Sequence, residues 1–151
     1  MKRWFAIMGS LGIAAGAIPS AAKVPLTHYP APAVSGSPLP FSSAVRVGDT
    51  LYLSGQIGLR PDGTLPAGIE AQARQAMDNI AAVLASADAG WNDVFKCTVM
   101  IENMAEWAAF NKVYVTYFKP GALPARSAFG ADGLAMGALV EVECIARAPQ
   151  R

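Results

Sequence analysis

The chain has 151 residues, which is enough for one domain with a sizeable hydrophobic core. Its 12 Lys and Arg residues nearly balance its 11 Asp and Glu residues, and the formal net charge is +1 at pH 7. A chain with balanced charge and no basic stripe is not expected to bind nucleic acid as its main partner. Two cysteines and a single histidine, His28, do not form the ligand pattern of a metal site.

The first 22 residues have the order of a secretory signal peptide. Met1–Arg3 is basic, residues 4–18 are apolar and uncharged, and residues 19–22 are mostly small. A transmembrane anchor is the alternative, although the apolar run is short and contains glycines and a proline. We therefore expect residues 1–22 to be removed. The mature protein is expected to be periplasmic or secreted, without membrane attachment.

Residues 23–38 contain four prolines and a Ser-Gly-Ser segment. This composition predicts an extended leader without helix, followed by a folded domain over residues 39–151. His28 lies in the leader and is interpreted as a solvated loop histidine.

The first half of the domain predicts a hairpin followed by a helix. Strands over residues 41–47 and 50–57 flank the turn Gly48–Asp49. Gly55, inside the second strand, indicates a bulge or the close approach of another group. Apolar residues at three- and four-residue spacing predict a helix over residues 69–87.

The second half predicts a strand, a helix and two further strands. The strands are expected over residues 94–101, 126–129 and 138–147. Asn103 is expected to cap the helix. Its aromatic stripe is interpreted as core packing against a sheet, and it consists of Trp107, Phe110, Tyr114 and Tyr117.

Two helices can cover only one face of the predicted sheet. Apolar residues on the other face would favour a homo-oligomer in a soluble protein. Cys97 and Cys144 both fall on predicted strands. Export would permit a disulfide between them, but a disulfide needs side chains that point at each other, so two separately buried thiols are favoured.

The last strand carries two carboxylates at alternate positions. Glu141 and Glu143 are therefore expected on one face, opposite to Val142 and Cys144. A half-buried carboxylate needs a cationic partner, and Arg126 is the nearest candidate in sequence. These residues alone favour a structural ion pair or a solvated sheet face, with a functional site as the alternative.

Four segments, in this order and spacing, resemble the reactive-intermediate deaminase family (RidA/YjgF). They are Leu53–Ile57, Asn111–Tyr114, Pro124–Ser127 and Gly137–Glu143, and the resemblance extends from about Pro40 to Ala146. It implies a chorismate-mutase-like α/β sandwich, with a mixed sheet, two helices on one face and a homotrimer with clefts between subunits. It also implies hydrolysis of 2-imino and enamine acids to 2-keto acids and ammonia, without a cofactor.

The resemblance also assigns site residues. Arg126 matches the arginine that binds the substrate carboxylate, and Glu141, not Glu143, matches the glutamate that positions the water. Ser54, Gly55 and Asn111 match positions that line the cleft. Two cleft positions depart from the family: Phe41 replaces the tyrosine of many members, and Ala128 replaces a cysteine.

Three functions remain open from the sequence. The first is a cofactor-free imine and enamine deaminase. The second is a non-catalytic trimer that binds small carboxylates on the same scaffold, which the changes at Phe41 and Ala128 favour. The third is RNA cleavage or inhibition of translation, a label that some relatives carry, and the balanced charge disfavours it.

Overall fold

The structure is a computed structural model that describes residues 23–33 and 36–150. The predicted signal peptide, residues 1–22, lies outside the described residues. Within the described ranges, no helix has the length and apolarity needed to cross a lipid bilayer.

The fold is built on one mixed sheet of seven strands in the described part of the chain. The strands are β1 (Leu26–Pro30), β2 (Ser42–Val47), β3 (Thr50–Leu53), β4 (Gln56–Ile57), β5 (Val94–Ile101), β6 (Ala125–Gly130) and β7 (Val140–Arg147). Their order is β1-β2-β3-β7-β5-β6, and the short β4 also pairs with β7. Strands β5 and β6 are parallel, and the other pairs are antiparallel.

The predicted hairpin is confirmed. Val47 of β2 pairs with Thr50 of β3 across the turn Gly48–Asp49. Gly48 has a φ of 58°, a conformation that glycine adopts without a steric penalty.

Two helices cover one face of the sheet, as predicted. They are α1 (Ile69–Ser86) and α2 (Trp107–Tyr114), and a 3₁₀ turn over Val115–Tyr117 extends α2. The apolar stripe of α1 is buried because its three- and four-residue spacing brings these side chains onto one face. The Asn103 side chain accepts a hydrogen bond from the Ala105 N–H, and a 3₁₀ turn over Met104–Glu106 precedes α2.

The alternation of β7 divides its residues between the two sheet faces. Val140, Val142 and Cys144 are buried on the face that the helices cover. Glu141 and Glu143 lie on the opposite face, here called the open face, as predicted. Hydrophobic side chains on the open face include Tyr52 and Phe129, which are 50% and 51% exposed.

The structure differs from the sequence prediction in the proline-rich segment. It is extended, but residues Leu26–Pro30 form strand β1, which pairs with β2 and belongs to the sheet. His28 is therefore a strand residue, and its Nδ1 lies 3.4 Å from the Ser42 Oγ. The segment tolerates prolines because β1 is an edge strand and Pro30 is its last residue.

The expectation of two separate thiols is wrong. Cys97 and Cys144 lie directly opposite each other on β5 and β7, and they form a disulfide. Their Cα atoms are 4.1 Å apart. The sequence shows that both residues lie on strands, but the register that brings them together depends on the tertiary fold.

Candidate active site

Arg126 projects from β6 toward helix α2. Its register partner on β5 is the buried Cys97, so the arginine lies on the helix-covered face. The guanidinium carbon lies over the rings of Trp107 and Tyr114, 4.5 Å from each centroid. The side chain is half-buried, which leaves part of the cation accessible.

No acidic side chain neutralises Arg126 within the described ranges. The ion pair found there joins Arg147 to Asp93, 3.7 Å apart at the protein surface. Aromatic faces stabilise a cation through the ring quadrupole and accept none of its conventional N–H hydrogen bonds. The guanidinium edge of Arg126 is therefore available for an anionic ligand.

Two buried polar atoms on the side chains of α2 lack hydrogen-bond partners in the described structure. They are the Asn111 Oδ1 and the Tyr114 hydroxyl oxygen. Asn111 lies four residues after Trp107 and three before Tyr114, so the three side chains share one face of α2. Buried polar atoms without partners are costly and rare in folded proteins, and a polar ligand would satisfy them.

Glu141 lies over the backbone of Gly55. A Cβ atom at Gly55 would overlap with the Glu141 carboxylate and would lie 2.8 Å from its carboxyl carbon. This confirms the close approach predicted at this glycine. Burial raises the pKa of the Glu141 carboxyl, and the nearby negative charge of Glu143 raises it further.

The other predicted cleft residues lie either on the chain near Gly55 or on the same sheet face as Arg126. The Ser54 Oγ donates a 2.7 Å hydrogen bond to the Ser42 carbonyl oxygen, which holds the strand end next to Gly55. Phe41 directly precedes β2 and is half exposed. Ala128 is half-buried on the same sheet face as Arg126, two residues further along β6.

Arg126 and Glu141 lie on opposite faces of the sheet in one chain. Register pairs share a face: Arg126 pairs with Cys97 under the helices, whereas Glu141 pairs with Met100 on the open face. Within one chain, Arg126 therefore does not form the structural ion pair with a β7 glutamate that was one expectation. The other expectation, a sheet face that carries the carboxylates without such a pair, agrees with the structure. The sequence alone does not reveal which sheet face carries Arg126, because that depends on the register between β5 and β6.

Trp107 and Tyr114 also belong to this region, although the sequence does not predict them as site residues. Their stripe is typical of core packing, and the rings do pack partly into the core. The available signal was their position around Asn111, which had already been assigned to the cleft. Among the described residues, no group of three or more His, Cys, Asp or Glu side chains could hold a metal ion.

The fold and these side chains define a small α/β protein with a cation for an anionic ligand and a carboxylate of raised pKa. Residues 31–148 match the family model described as "Endoribonuclease L-PSP". The chain belongs to the reactive-intermediate deaminase (RidA/YjgF) family, which confirms the resemblance found in the sequence.

Two curated relatives illustrate the similarity. The chain is 42% identical over 118 residues to the mouse (Mus musculus) protein named 2-iminobutanoate/2-iminopropanoate deaminase, and the match covers 77% of this chain and 84% of the relative. It is also 42% identical over 109 residues to the Drosophila melanogaster RutC family protein UK114. That match covers 71% of this chain and 78% of the relative.

Solved structures share the fold. The yeast protein YEO7 has a TM-score of 0.75 and 33% identity, and the match covers 83% of this chain and all of that one. E. coli TdcF with bound serine has a TM-score of 0.71 and 31% identity, with 76% and 92% of the two chains covered. The predicted mixed sheet with two helices on one face is thus confirmed.

Proposed function

We propose that this protein hydrolyses reactive 2-imino and enamine acids to 2-keto acids and ammonia. Membership of the family supports this activity, since several relatives are named 2-iminobutanoate/2-iminopropanoate deaminase. The observation that carries the proposal is the Arg126 guanidinium, which rests on two aromatic rings and has no acidic partner among the described residues. Such a cation is suited to the carboxylate that all these substrates share.

Arg126 binds the substrate carboxylate in this proposal. A guanidinium donates two parallel hydrogen bonds to a carboxylate and so fixes the plane of that group. Because the imine carbon is bonded to the carboxylate carbon, its position is fixed as well. The Asn111 amide lies on the same face of α2 as the two rings that contact Arg126. It provides a buried oxygen for a substrate N–H group.

Glu141 positions the water and accepts its proton. The water oxygen adds to the carbon of the C=N bond, the π electrons move to nitrogen, and nitrogen takes up a proton. The resulting carbinolamine loses ammonia as its hydroxyl becomes the carbonyl of the 2-keto acid. The raised pKa of Glu141 makes this carboxylate a stronger base than an ordinary surface glutamate.

The proposed site is formed between two copies of the chain, as part of a homotrimer. Arg126 and Glu141 face opposite sides of one sheet, so a single chain cannot direct both at one substrate. The hydrophobic residues on the open face support association. Sedimentation equilibrium at micromolar concentration tests the assembly, and a monomer would contradict both the trimer and the shared site.

We also propose that the protein is exported after removal of residues 1–22. The signal-like order of the N-terminus and the disulfide between Cys97 and Cys144 support export, because such bonds persist mainly in oxidising compartments. N-terminal sequencing of the protein from its native cell should find a start near Lys23. A soluble cytoplasmic product that retains Met1 would contradict this.

Turnover of a freshly formed imine tests the catalytic function. An amino-acid oxidase generates 2-iminobutanoate in situ, and release of 2-oxobutanoate is followed with and without the protein. The wild type should accelerate release beyond hydrolysis in buffer, and Arg126→Ala should abolish the acceleration. Binding of 2-oxobutanoate without any acceleration would replace the deaminase with the non-catalytic carboxylate-binding trimer.

A further inference from the structure

The two rings at Arg126 come from one helix and contact the same cation. Trp107 and Tyr114 are seven residues apart on α2, which corresponds to about 10.5 Å along a helix axis. The guanidinium carbon is 4.5 Å from the centroid of each ring. One guanidinium group thus contacts both aromatic faces.

We propose that Trp107 and Tyr114 form an aromatic clamp that orients the Arg126 guanidinium for carboxylate binding. Both are then positioning residues, and the inference rests on the proposed role of Arg126 as the carboxylate-binding group. The clamp would determine how tightly the site holds carboxylate ligands, whichever 2-imino acid is the natural substrate.

The core holds the clamp in place. Phe110 is fully buried, and its ring centroid is 5.7 Å from that of Trp107 and 5.6 Å from that of Tyr114. The Phe118 ring, directly after the 3₁₀ turn that extends α2, lies 4.9 Å from the Tyr114 ring. Because the clamp rings pack against these buried neighbours, they restrict the orientations that Arg126 can adopt.

Aromatic rings have an advantage over an acidic partner at this position. An aspartate or glutamate would orient the guanidinium by accepting its N–H hydrogen bonds, and it would then compete with the substrate carboxylate. Ring faces attract the cation and leave those N–H groups free. Burial raises the pKa of the Tyr114 hydroxyl to about 12, so this ring remains neutral beside the arginine.

Ligand binding separates an orienting role from general packing. Calorimetry would measure the Kd of 2-oxobutanoate, and of its neutral amide, for the wild type, Trp107→Leu and Trp107→Phe. The matched control is Trp91→Leu, because Trp91 is also half-buried and contacts the Tyr117 ring in a tilted arrangement and the Phe118 ring edge-on. Its ring makes no cation–π contact with Arg126 in the described structure.

We expect Trp107→Leu to weaken 2-oxobutanoate binding by roughly tenfold, the effect of one partly desolvated cation–π contact. Trp107→Phe should recover most of this affinity, and Trp91→Leu should bind like the wild type. In Trp107→Leu, binding of the neutral amide should change much less than binding of the acid. Kinetic assays should show the loss in KM more than in kcat.

The clamp is overturned if folded Trp107→Leu binds 2-oxobutanoate like the wild type, or if the acid and the amide lose affinity equally. A wild type that does not bind 2-oxobutanoate also overturns it. A wild type that binds the acid, shows the predicted response to Trp107→Leu and does not turn over the imine upholds the clamp. That result contradicts only the deaminase function.

Discussion

Among single residues, Arg126 is expected to contribute most to activity. Its guanidinium supplies both charge and a planar pair of donors, and a lysine keeps only the charge. We expect Arg126→Lys to lower kcat/KM by about 100-fold or more, because misorientation of the substrate adds to the lost hydrogen bond. The measurement is release of 2-oxobutanoate from the imine. Near wild-type turnover by a correctly folded Arg126→Lys would contradict the carboxylate-binding mechanism.

Glu143 is expected to adjust the basicity of Glu141. Its negative charge is the second cause, after burial, of the raised pKa of Glu141. Glu141 must be deprotonated to accept a proton, so activity falls when the pH drops through this raised pKa. Glu143→Gln should lower that pKa and move the acid limb of the kcat profile to lower pH. An unchanged or upward-shifted acid limb would show that Glu143 does not act on the catalytic base.

Gly55 gives a steric test of the Glu141 position. A methyl group at Gly55 would overlap with the carboxylate, and a displacement of about 1 Å can cost roughly 100-fold in rate. We expect Gly55→Ala to reduce kcat by about this factor. The matched control is Gly90→Ala, since Gly90 has an extended φ of −148° and no atom within 4 Å of a Cβ. Equal effects of the two substitutions would argue against the steric explanation.

Residue types and their order indicate Arg126 and the two β7 glutamates as candidates, and the family resemblance singles out Glu141 and adds Asn111. The structure shows what surrounds each of them. The rings of Trp107 and Tyr114 were assigned to packing because a core stripe and a cation-binding stripe have the same helical spacing. Only the position of β6 against α2 distinguishes the two possibilities.

At the scale of elements, periodicity predicted most of the fold. The bounds of α1 and β5 agree with the prediction to within one residue, because each has a clear pattern of buried positions. Strand β1 was missed because its pairing with β2, not its own composition, makes it part of the sheet. The helical stretch after Asn103 is divided into 3₁₀ and α segments that sequence patterns do not distinguish.

The disulfide between β5 and β7 is expected to stabilise the fold. It joins residues 47 positions apart, so it restricts the unfolded chain considerably. The double substitution Cys97→Ala and Cys144→Ala should lower the free energy of unfolding by about 2–4 kcal/mol. Urea unfolding under oxidising and reducing conditions measures this difference. If reductant destabilises the wild type no more than the double variant, the disulfide does not contribute.

For the whole molecule, we propose that each site takes Arg126 from one copy and Glu141 from a neighbour. The family resemblance implies clefts between subunits, but the assignment of Arg126 and Glu141 to different copies follows from the registers of β5 with β6 and with β7. The claim also explains why the open face carries both hydrophobic side chains and the candidate base.

Subunit mixing tests this claim most directly. Arg126→Ala and Glu141→Ala should each be nearly inactive as separate homo-oligomers. When they are co-expressed with different tags and purified as mixed assemblies, each cyclic trimer that contains both variants should regain one of its three sites, or about a third. We expect recovery of activity close to that fraction. Mixed assemblies that remain as inactive as the two separate variants would contradict a site shared between copies.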